Sequence, residues 1–204
     1  YTLKEITLVP RPLRLPVECW QPIQSGSDRA FDFMAKHGMC GVIGGGSAEG
    51  GAVDRHIEGF RAAYGRRGIE IAPGERLSLG FQFHISSSRE QGMKEAARYY
   101  EENMKMFGEL RLVRAISDEQ MAAMRDPRLV PTTKLPRIED AVKAGGFLTG
   151  TPADIIEQLK AIEKRYPGLE RVSCSLALGT PLSLALEQLE RFAKDVMPAF
   201  KPVA

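Results

Sequence analysis

The chain has 204 residues, 43% of them hydrophobic, and its 28 basic and 26 acidic residues leave a formal net charge of +2. This near-balance, with basic residues scattered along the chain, gives no electrostatic reason to expect a nucleic-acid partner. No apolar run approaches the roughly 20 residues that cross a bilayer, so we expect no membrane partner either.

Cysteine and histidine usage indicates a reducing compartment and gives no sign of a metal site. Cys19, Cys40 and Cys174 lie in three separate segments without paired spacing, as isolated thiols of an intracellular protein do. The chain has no C-x-x-C or H-E-x-x-H motif that would bind zinc. The first residues lack the basic and apolar regions of a signal peptide, so we expect a cytoplasmic protein.

Extended and helical segments alternate along the first part of the chain. After an extended opening at 3–9, the pattern predicts a strand at 17–23 and then a helix, which begins at an N-cap, Ser27, and stops at Gly38. A short apolar strand at 39–43 follows. The next helix has one apolar face, formed by Val53, Ile57, Phe60 and Tyr64.

The strand predicted at residues 77–85 is the most informative in the chain. Large apolar residues alternate there with the smaller or polar Ser78, Gly80, Gln82 and His84. Since successive side chains of a strand point to opposite faces, one face is apolar and the other is polar. Strands of an open parallel sheet tend to be apolar on both faces, so the pattern favours a barrel whose interior receives the polar row.

A long helix and a less regular span follow this strand. The helix carries an apolar stripe, which comprises Met93, Ala96, Ala97, Tyr100, Met104 and Phe107. Residues 108–150 are less regular and contain one predicted helix, opened by a capping box between Ser117 and Gln120.

Two similar signals start the last two helices. Thr151-Pro152 predicts a helix with threonine as N-cap, and its buried face comprises Ile155, Ile156, Leu159 and Ile162. Residues 172–178 form the last predicted strand. Thr180-Pro181 repeats the start signal for a final helix, whose apolar face comprises Leu182, Ala185, Leu189, Phe192, Ala193 and Val196.

The predicted order is strand–helix four times, with the irregular span before the last unit. Such alternation implies parallel strands joined by right-handed crossovers. We therefore predict an α/β fold in which residues 1–204 form one domain, with 108–150 as an insertion, and supply about the last four units of a (β/α)8 barrel of the TIM type. Because four units do not close a barrel and the chain begins with Tyr1, we expect either a fragment of a longer chain or a half-barrel completed by a partner.

The order of motifs resembles the luciferase-like flavin-dependent monooxygenases. Residues 6–12, the segment Trp20–Ala30 and His37-Gly38 resemble that family around its fifth strand. Residues 150–157 and the turn Leu178–Pro181 resemble its last two helices. The resemblance rests on the order and spacing of these motifs over nearly the whole chain, because no single motif is highly specific.

The resemblance implies a barrel enzyme in which reduced FMN reacts with oxygen and a small organic substrate is oxidised. The part that corresponds to the first four strands of the family is absent from this chain. In many members a separate flavin reductase supplies the reduced flavin. Some relatives instead use a deazaflavin and transfer hydride without oxygen, and a homodimer is the expected assembly.

The segment Gln24-Ser25-Gly26-Ser27 is the best candidate for a cofactor site. It lies between a predicted strand and the N-terminus of a predicted helix, where unpaired N–H groups and the helix dipole favour an anion. From spacing alone, Ser27 is more commonly an N-cap and Ser25-Gly26 a turn. By resemblance, the segment matches the family's flavin-phosphate loop, so we expect it to bind the phosphate.

His84 is the candidate for lining the pocket. It lies on the polar face at the C-terminal end of a strand, where barrel enzymes hold catalytic groups, and it would hydrogen-bond a flavin or substrate or transfer protons. The other interpretation is a satisfied, partly buried histidine without a chemical role. Weaker candidates are the loop Gly44–Gly51 at the barrel mouth, Ser173 and Ser175 in the interior, and Arg111, Arg114 and Arg125 as ligands of an anionic substrate.

Three functions follow from these observations. The first is a flavin-dependent, luciferase-like monooxygenase, of which this chain carries the flavin-phosphate side. The second is a non-catalytic half-barrel that pairs with itself and binds flavin or serves as a structural module. The third is a barrel enzyme that acts on a phosphorylated substrate without flavin. It is the weakest of the three, because no lysine suited to a Schiff base lies on a clear strand.

Overall fold

Strands and helices alternate along the chain, as expected for an α/β fold. The computed structural model describes residues 4, 11–24, 26–44, 51–109, 117–124, 126, 128–129 and 137–200. The strands are β1 (Trp20–Pro22), β2 (Cys40–Ile43), β3 (Leu77–Ile85), β4 (Phe147–Gly150) and β5 (Arg171–Ser175). The helices are α1 (Asp28–Lys36), α2 (Ala52–Gly65), α3 (Arg89–Glu109), α4 (Asp118–Met124), α5 (Ile138–Lys143), α6 (Pro152–Arg165) and α7 (Leu182–Arg191). A π-helical turn, Phe192–Val196, and a 3₁₀ turn, Met197–Ala199, continue α7.

The sheet is parallel, and β3 is its central strand. β1 pairs with β2, and β2 pairs with residues 77–79 of β3. β5 pairs with residues 78–82 of β3, and β4 pairs with residues 82–85. The nine residues of β3 thus serve three strands, because β2 and β4 each pair with only part of its length.

The predicted helix signals are confirmed at α1, α2 and α6. The Ser27 side chain caps α1, and Gly38, which follows the helix, has a φ of 64°. Thr151 and Asp154 form a capping box at α6, which begins with Pro152. The predicted apolar face of α2 is buried, and it comprises Val53, Ile57, Phe60 and Tyr64.

Residues 108–150 contain more regular structure than the sequence pattern predicts. The capping box between Ser117 and Gln120 is present at the start of α4, as predicted. The span also contains α5 and β4, so the structure adds one strand to the four predicted. β4 has four residues, all buried, and glycines bound it as they bound the predicted strand at 39–43, so the sequence carried the same signal for both strands.

Helices pack on both faces of the sheet. The apolar row of β3 belongs to the main core, together with residues of α1, α2 and α6. On the opposite face, α3 covers the polar row, where Gln82 Nε2 donates to Asn103 Oδ1 at 3.1 Å and His84 contacts Glu95. The sequence predicts an open barrel interior for this row. Here α3 supplies polar partners, and these satisfy side chains that would otherwise be buried without hydrogen bonds.

The polar face is more open away from α3. Ser173 and Ser175 of β5 lie in register with Gly80 and Gln82, so they project to the same face, as predicted. Both serines are exposed, and Val42 of β2, on that face, is only half-buried. The face is therefore covered over β3 and β4 and accessible over β2 and β5.

Helix α7 differs from its predicted orientation. It begins at Leu182 without a side-chain cap, and Thr180 Oγ1 donates to the Ala177 carbonyl at 2.6 Å instead of capping the helix. Leu182 and Leu189, predicted to be buried, are 74% and 49% exposed, whereas Gln188 is 1% exposed. A polar residue therefore takes the buried position that the apolar spacing assigns to leucine.

Gln188 is buried because its amide acts as a strand partner for β3. Its Oε1 accepts from the Ile85 backbone N–H at 2.6 Å, and its Nε2 donates to the Ile85 carbonyl at 3.0 Å. Residues 78–82 of β3 pair with β5, whereas Ile85 lies beyond the end of that ladder. The side chain thus satisfies backbone groups that would otherwise be buried without partners.

We expect Gln188→Ala to lower the free energy of unfolding by about 2 kcal/mol, because it leaves the buried Ile85 N–H without an acceptor. Urea unfolding followed by circular dichroism measures this change. Ser183→Ala, at an exposed position of the same helix, is the matched control and should stay within about 0.5 kcal/mol of the parent. Equal stability of the two variants would show that Gln188 does not hold the end of β3.

Candidate functional site

A cavity of about 430 Å³ lies at the C-terminal end of β3, bounded by residues of α3 and α7. Its lining residues are His84, Ile85, Ser86, Ser87, Glu95, Leu184, Glu187, Gln188 and Arg191. Most of them are polar or charged, whereas typical ligand pockets are mainly apolar. The C-terminal ends of parallel strands are where ligands bind in α/β folds, so this cavity is the first candidate site.

His84 occupies the end of β3 beside a carboxylate of α3. Its side chain is 5% exposed, and its Nε2 lies 3.0 Å from Glu95 Oε2. Ser86 Oγ donates to the same oxygen at 2.9 Å, and Gln91 Nε2 donates to Glu95 Oε1 at 2.8 Å. These bonds, first that from Gln91 and then those from His84 and Ser86, hold the pKa of Glu95 below its ordinary value of 4.5. Glu95 is therefore an ionised, well-fixed acceptor.

The first turns of α3 rest directly on β4, and this contact sets the position of Glu95. A Cβ atom at Gly92 would lie 2.0 Å from Thr149 Oγ1, so only glycine permits the close approach. Thr149 is fully buried, and its Oγ1 donates to the His84 carbonyl at 2.8 Å. These contacts connect α3, through Gly92 and Glu95, to Thr149 of β4 and His84 of β3.

Residues of α7 form the opposite wall. Arg191 Nη1 donates to the Ile85 carbonyl at 3.0 Å, and the same carbonyl also accepts the bond from Gln188. Glu187 Oε1 lies 4.0 Å from the same Nη1. The arginine is therefore anchored to the end of β3 while its charge faces a carboxylate.

The predicted phosphate segment lies at the C-terminal end of β1, on the same edge of the sheet. Gln24 is exposed, Gly26 has a φ of 59°, and Ser27 is the N-cap of α1. Ser25 lies outside the described residues. Ser27 Oγ accepts from the Ala30 N–H at 3.4 Å, which is the bond that the cap interpretation predicts.

The imidazole of His56 is a neighbour of this segment. A Cβ atom at Gly26 would lie 2.7 Å from His56 Cδ2 and 2.8 Å from Nε2, so the imidazole packs against the glycine backbone. His56 also meets Phe31 edge-on, with ring centroids 6.5 Å apart. His37, in contrast, is the exposed C-cap residue of α1.

The structure describes only part of the weaker sequence candidates. Residues 45–50 of the glycine-rich loop lie outside the described residues, and so do Arg111, Arg114 and Arg125.

No three His, Cys, Asp or Glu side chains in the described ranges could share a metal ion. Within the same ranges, no helix has the length and apolar character needed to span a bilayer. All three cysteines are free, and burial raises the pKa of Cys174 to about 11, so this thiol stays protonated.

Sequence reasoning found His84 but not the residues that hold it. Glu95 lies on the predicted long helix with no motif around it, and its pairing with His84 depends on how α3 docks. Gly92 carried a usable signal, because a glycine inside a helix costs about 1 kcal/mol relative to alanine and usually has a packing reason. Gln188 and Arg191 follow no pattern that distinguishes them from surface residues.

Comparison by sequence identifies a family. The family model described as luciferase-like monooxygenase matches residues 1–168. No protein of curated function matches the chain significantly.

Comparison by structure gives the same fold at low sequence identity. A monooxygenase from Streptomyces bottropensis has a TM-score of 0.61 at 15% identity, covering 96% of this chain and 52% of its own. The oxygenating component of 3,6-diketocamphane monooxygenase from Pseudomonas putida, in complex with FMN, has a TM-score of 0.58 at 16% identity, with 90% and 49% covered.

A third neighbour is a reductase. The coenzyme F420-dependent tetrahydromethanopterin reductase from Methanopyrus kandleri has a TM-score of 0.56 at 11% identity, with 89% and 50% covered. The chain therefore spans about half the length of each neighbour, as expected for part of a barrel.

We expect Gly92→Ala to destabilise the protein by about 1–3 kcal/mol despite alanine's higher helix propensity, because the added methyl group would overlap Thr149 Oγ1. Thr149→Ala removes that oxygen, so the double variant should lose less free energy of unfolding than the sum of the two single losses. Urea unfolding of all four proteins gives the coupling energy. Strict additivity would contradict the contact.

We expect Glu95→Gln to cost most stability above pH 4.5, because the lowered pKa means that the folded state favours the ionised carboxylate. As the pH falls through the lowered folded-state pKa, this contribution is lost and the two proteins approach each other. Unfolding at a series of pH values measures the difference. Ser86→Ala removes one donor to Glu95, so its difference in stability from the parent should vary less with pH than that of Glu95→Gln. A Glu95→Gln difference that stays constant at all pH values would contradict the assignment.

Proposed function

The chain belongs to the luciferase-like monooxygenase family, and we propose that it carries the flavin-phosphate side of a flavin-dependent oxidoreductase that oxidises a small organic substrate with O2. The family match over residues 1–168 carries this proposal. The FMN complex of a structural neighbour supports FMN as the cofactor. We further propose a homodimer that receives reduced flavin from a separate reductase.

The segment after β1 fits a phosphate in several respects. The N-terminus of α1 offers backbone N–H groups and the positive end of the helix dipole. The Ser27 hydroxyl and the His56 imidazole lie beside it. Asp28, in the first turn, is 85% exposed and lies 3.9 Å from Arg66, which pairs more closely with Asp32 at 2.6 Å. His56 packs against the Gly26 backbone, where any larger residue would overlap the imidazole.

The residues of the β3 cavity would serve the substrate. Bound reduced flavin supplies the electrons that activate oxygen. His84 and Arg191 line a cavity that opens at the same edge of the sheet as the phosphate segment. Since the neighbours are about twice the length of this chain, groups from the rest of the barrel complete the site, and we expect little turnover from this half alone.

A second candidate is hydride transfer with a deazaflavin. The coenzyme F420-dependent reductase among the structural neighbours favours it, and the phosphate segment would serve either cofactor. A third is a non-catalytic half-barrel that pairs with itself, which the accessible sheet face over β2 and β5 favours. Reduced-flavin-dependent oxygen consumption by the complete barrel would support the monooxygenase alone.

We expect Ser27→Ala to weaken the binding of FMN about tenfold and to leave the binding of riboflavin unchanged, because only FMN carries the phosphate. Quenching of flavin fluorescence on titration measures both affinities. Ser117→Ala removes an N-cap of the same type at α4 and is the matched control.

Each result of this titration has a definite meaning. Equal weakening of FMN and riboflavin, or equal effects of Ser27→Ala and Ser117→Ala, would show that Ser27 acts only as a helix cap. No binding of FMN, riboflavin or F420 by the parent protein would overturn the flavin proposal.

A further inference from the structure

The two nitrogens of the His84 ring have different environments. Nε2 faces the Glu95 carboxylate at 3.0 Å. Nδ1 has no hydrogen-bond partner among the described residues, and the side chain lines the cavity at the end of β3. The ring therefore has one committed nitrogen and one that is free for a ligand.

The chemistry of Glu95 determines which nitrogen carries the proton. An ionised carboxylate is only an acceptor, so Nε2 must donate, and a neutral ring then presents the Nδ1 lone pair. Ser86 and Gln91 donate to the two carboxylate oxygens and hold this acceptor in place. Ser86 lies in the loop that leads into α3, and Gln91 lies on α3 itself, as Glu95 does. Both donors therefore fix the carboxylate before any ligand binds.

The charges around the cavity limit what Nδ1 can accept from. Among the described lining residues, Glu95 and Glu187 are acidic and Arg191 is basic, so carboxylates outnumber cations. Nη1 of Arg191 is already bonded to the Ile85 carbonyl and faces Glu187. An anionic ligand group would meet net repulsion here, whereas a neutral O–H group would not.

We propose that Glu95 is a positioning residue that holds His84 in the Nε2–H form, so that Nδ1 accepts a hydrogen bond from a neutral hydroxyl of the substrate. The assignment of this hydroxyl to a substrate rests on the proposed function, whereas the state of the ring does not. If the hydroxyl is deprotonated during the reaction, its proton moves to Nδ1, the O–H electron pair stays on the oxygen, and the resulting imidazolium faces the Glu95 carboxylate.

The ring state is tested directly by nuclear magnetic resonance. Long-range ¹H–¹⁵N spectra of protein with ¹⁵N-labelled histidine distinguish protonated from unprotonated ring nitrogens. The chain has only three histidines, so His37→Asn and His56→Asn assign His84 by elimination. We expect the neutral His84 ring to be protonated at Nε2 alone.

Variants of the carboxylate separate positioning from simple packing. Glu95→Gln should give a mixture of both neutral forms, because an amide both donates and accepts, and Glu95→Asp should restore the Nε2–H form. Glu90→Gln, at an exposed carboxylate in the first turn of the same helix, is the matched control and should change nothing. A parent ring protonated at Nδ1, or no change in Glu95→Gln, would overturn the proposal.

The ligand class is tested with small probes on the parent protein. Phenol should bind and shift the Nδ1 resonance of His84, whereas anisole, which has the same ring without the O–H, should bind about fivefold more weakly and leave Nδ1 unshifted. Benzenesulfonate should bind more weakly still. Equal effects of phenol and anisole, or tighter binding of benzenesulfonate, would overturn the neutral-hydroxyl assignment.

These outcomes are separate from those of the flavin titration. A protein that binds phenol through Nδ1 but no flavin would retain the role of Glu95 and lose the proposed function. A protein that binds FMN through Ser27 but holds His84 in the other form would do the reverse.

Discussion

The backbone of β3 is shared among three strands and one side chain, and the rest of the molecule is arranged around that division. β2 pairs with its beginning, β5 with its middle and β4 with its end, and Gln188 pairs with Ile85. Because β4 is attached at the end of β3, its Thr149 lies beside His84 and receives the first turns of α3. The hydrogen-bonding needs of one strand therefore place both walls of the cavity.

Much of the fold could be predicted from sequence because its signals are local. Ser27 and Gly38 mark the ends of α1 by cap chemistry, and the alternation at 77–85 marks β3 by side-chain period. β4 was missed although it is as short as the correctly predicted β2 and is likewise bounded by glycines. The buried face of the last helix was predicted correctly at Phe192 and Val196 but wrongly at Leu182 and Leu189. The spacing of leucines cannot reveal that Gln188 bonds the Ile85 backbone.

The candidate site shows the same limit. His84 could be identified because a strand end and a polar face are sequence properties. Glu95 could not, because eleven positions separate it from His84 and only the docking of α3 brings them together. That docking depends on Gly92, because a side chain at this position would overlap Thr149. The family match assigns the chain to the luciferase-like monooxygenases, and the structural neighbours share its fold.

The amide of Ile85 has an unusual place in this sheet, since its N–H is bonded to a side chain and not to a neighbouring strand. Amide hydrogens in a ladder exchange with solvent deuterium only when strands separate, but this one is released as soon as α7 swings away. Its exchange rate therefore reports the lifting of a helix. Compared with the exchange of the amides of residues 78–82, it would measure how often α7 separates from the end of β3.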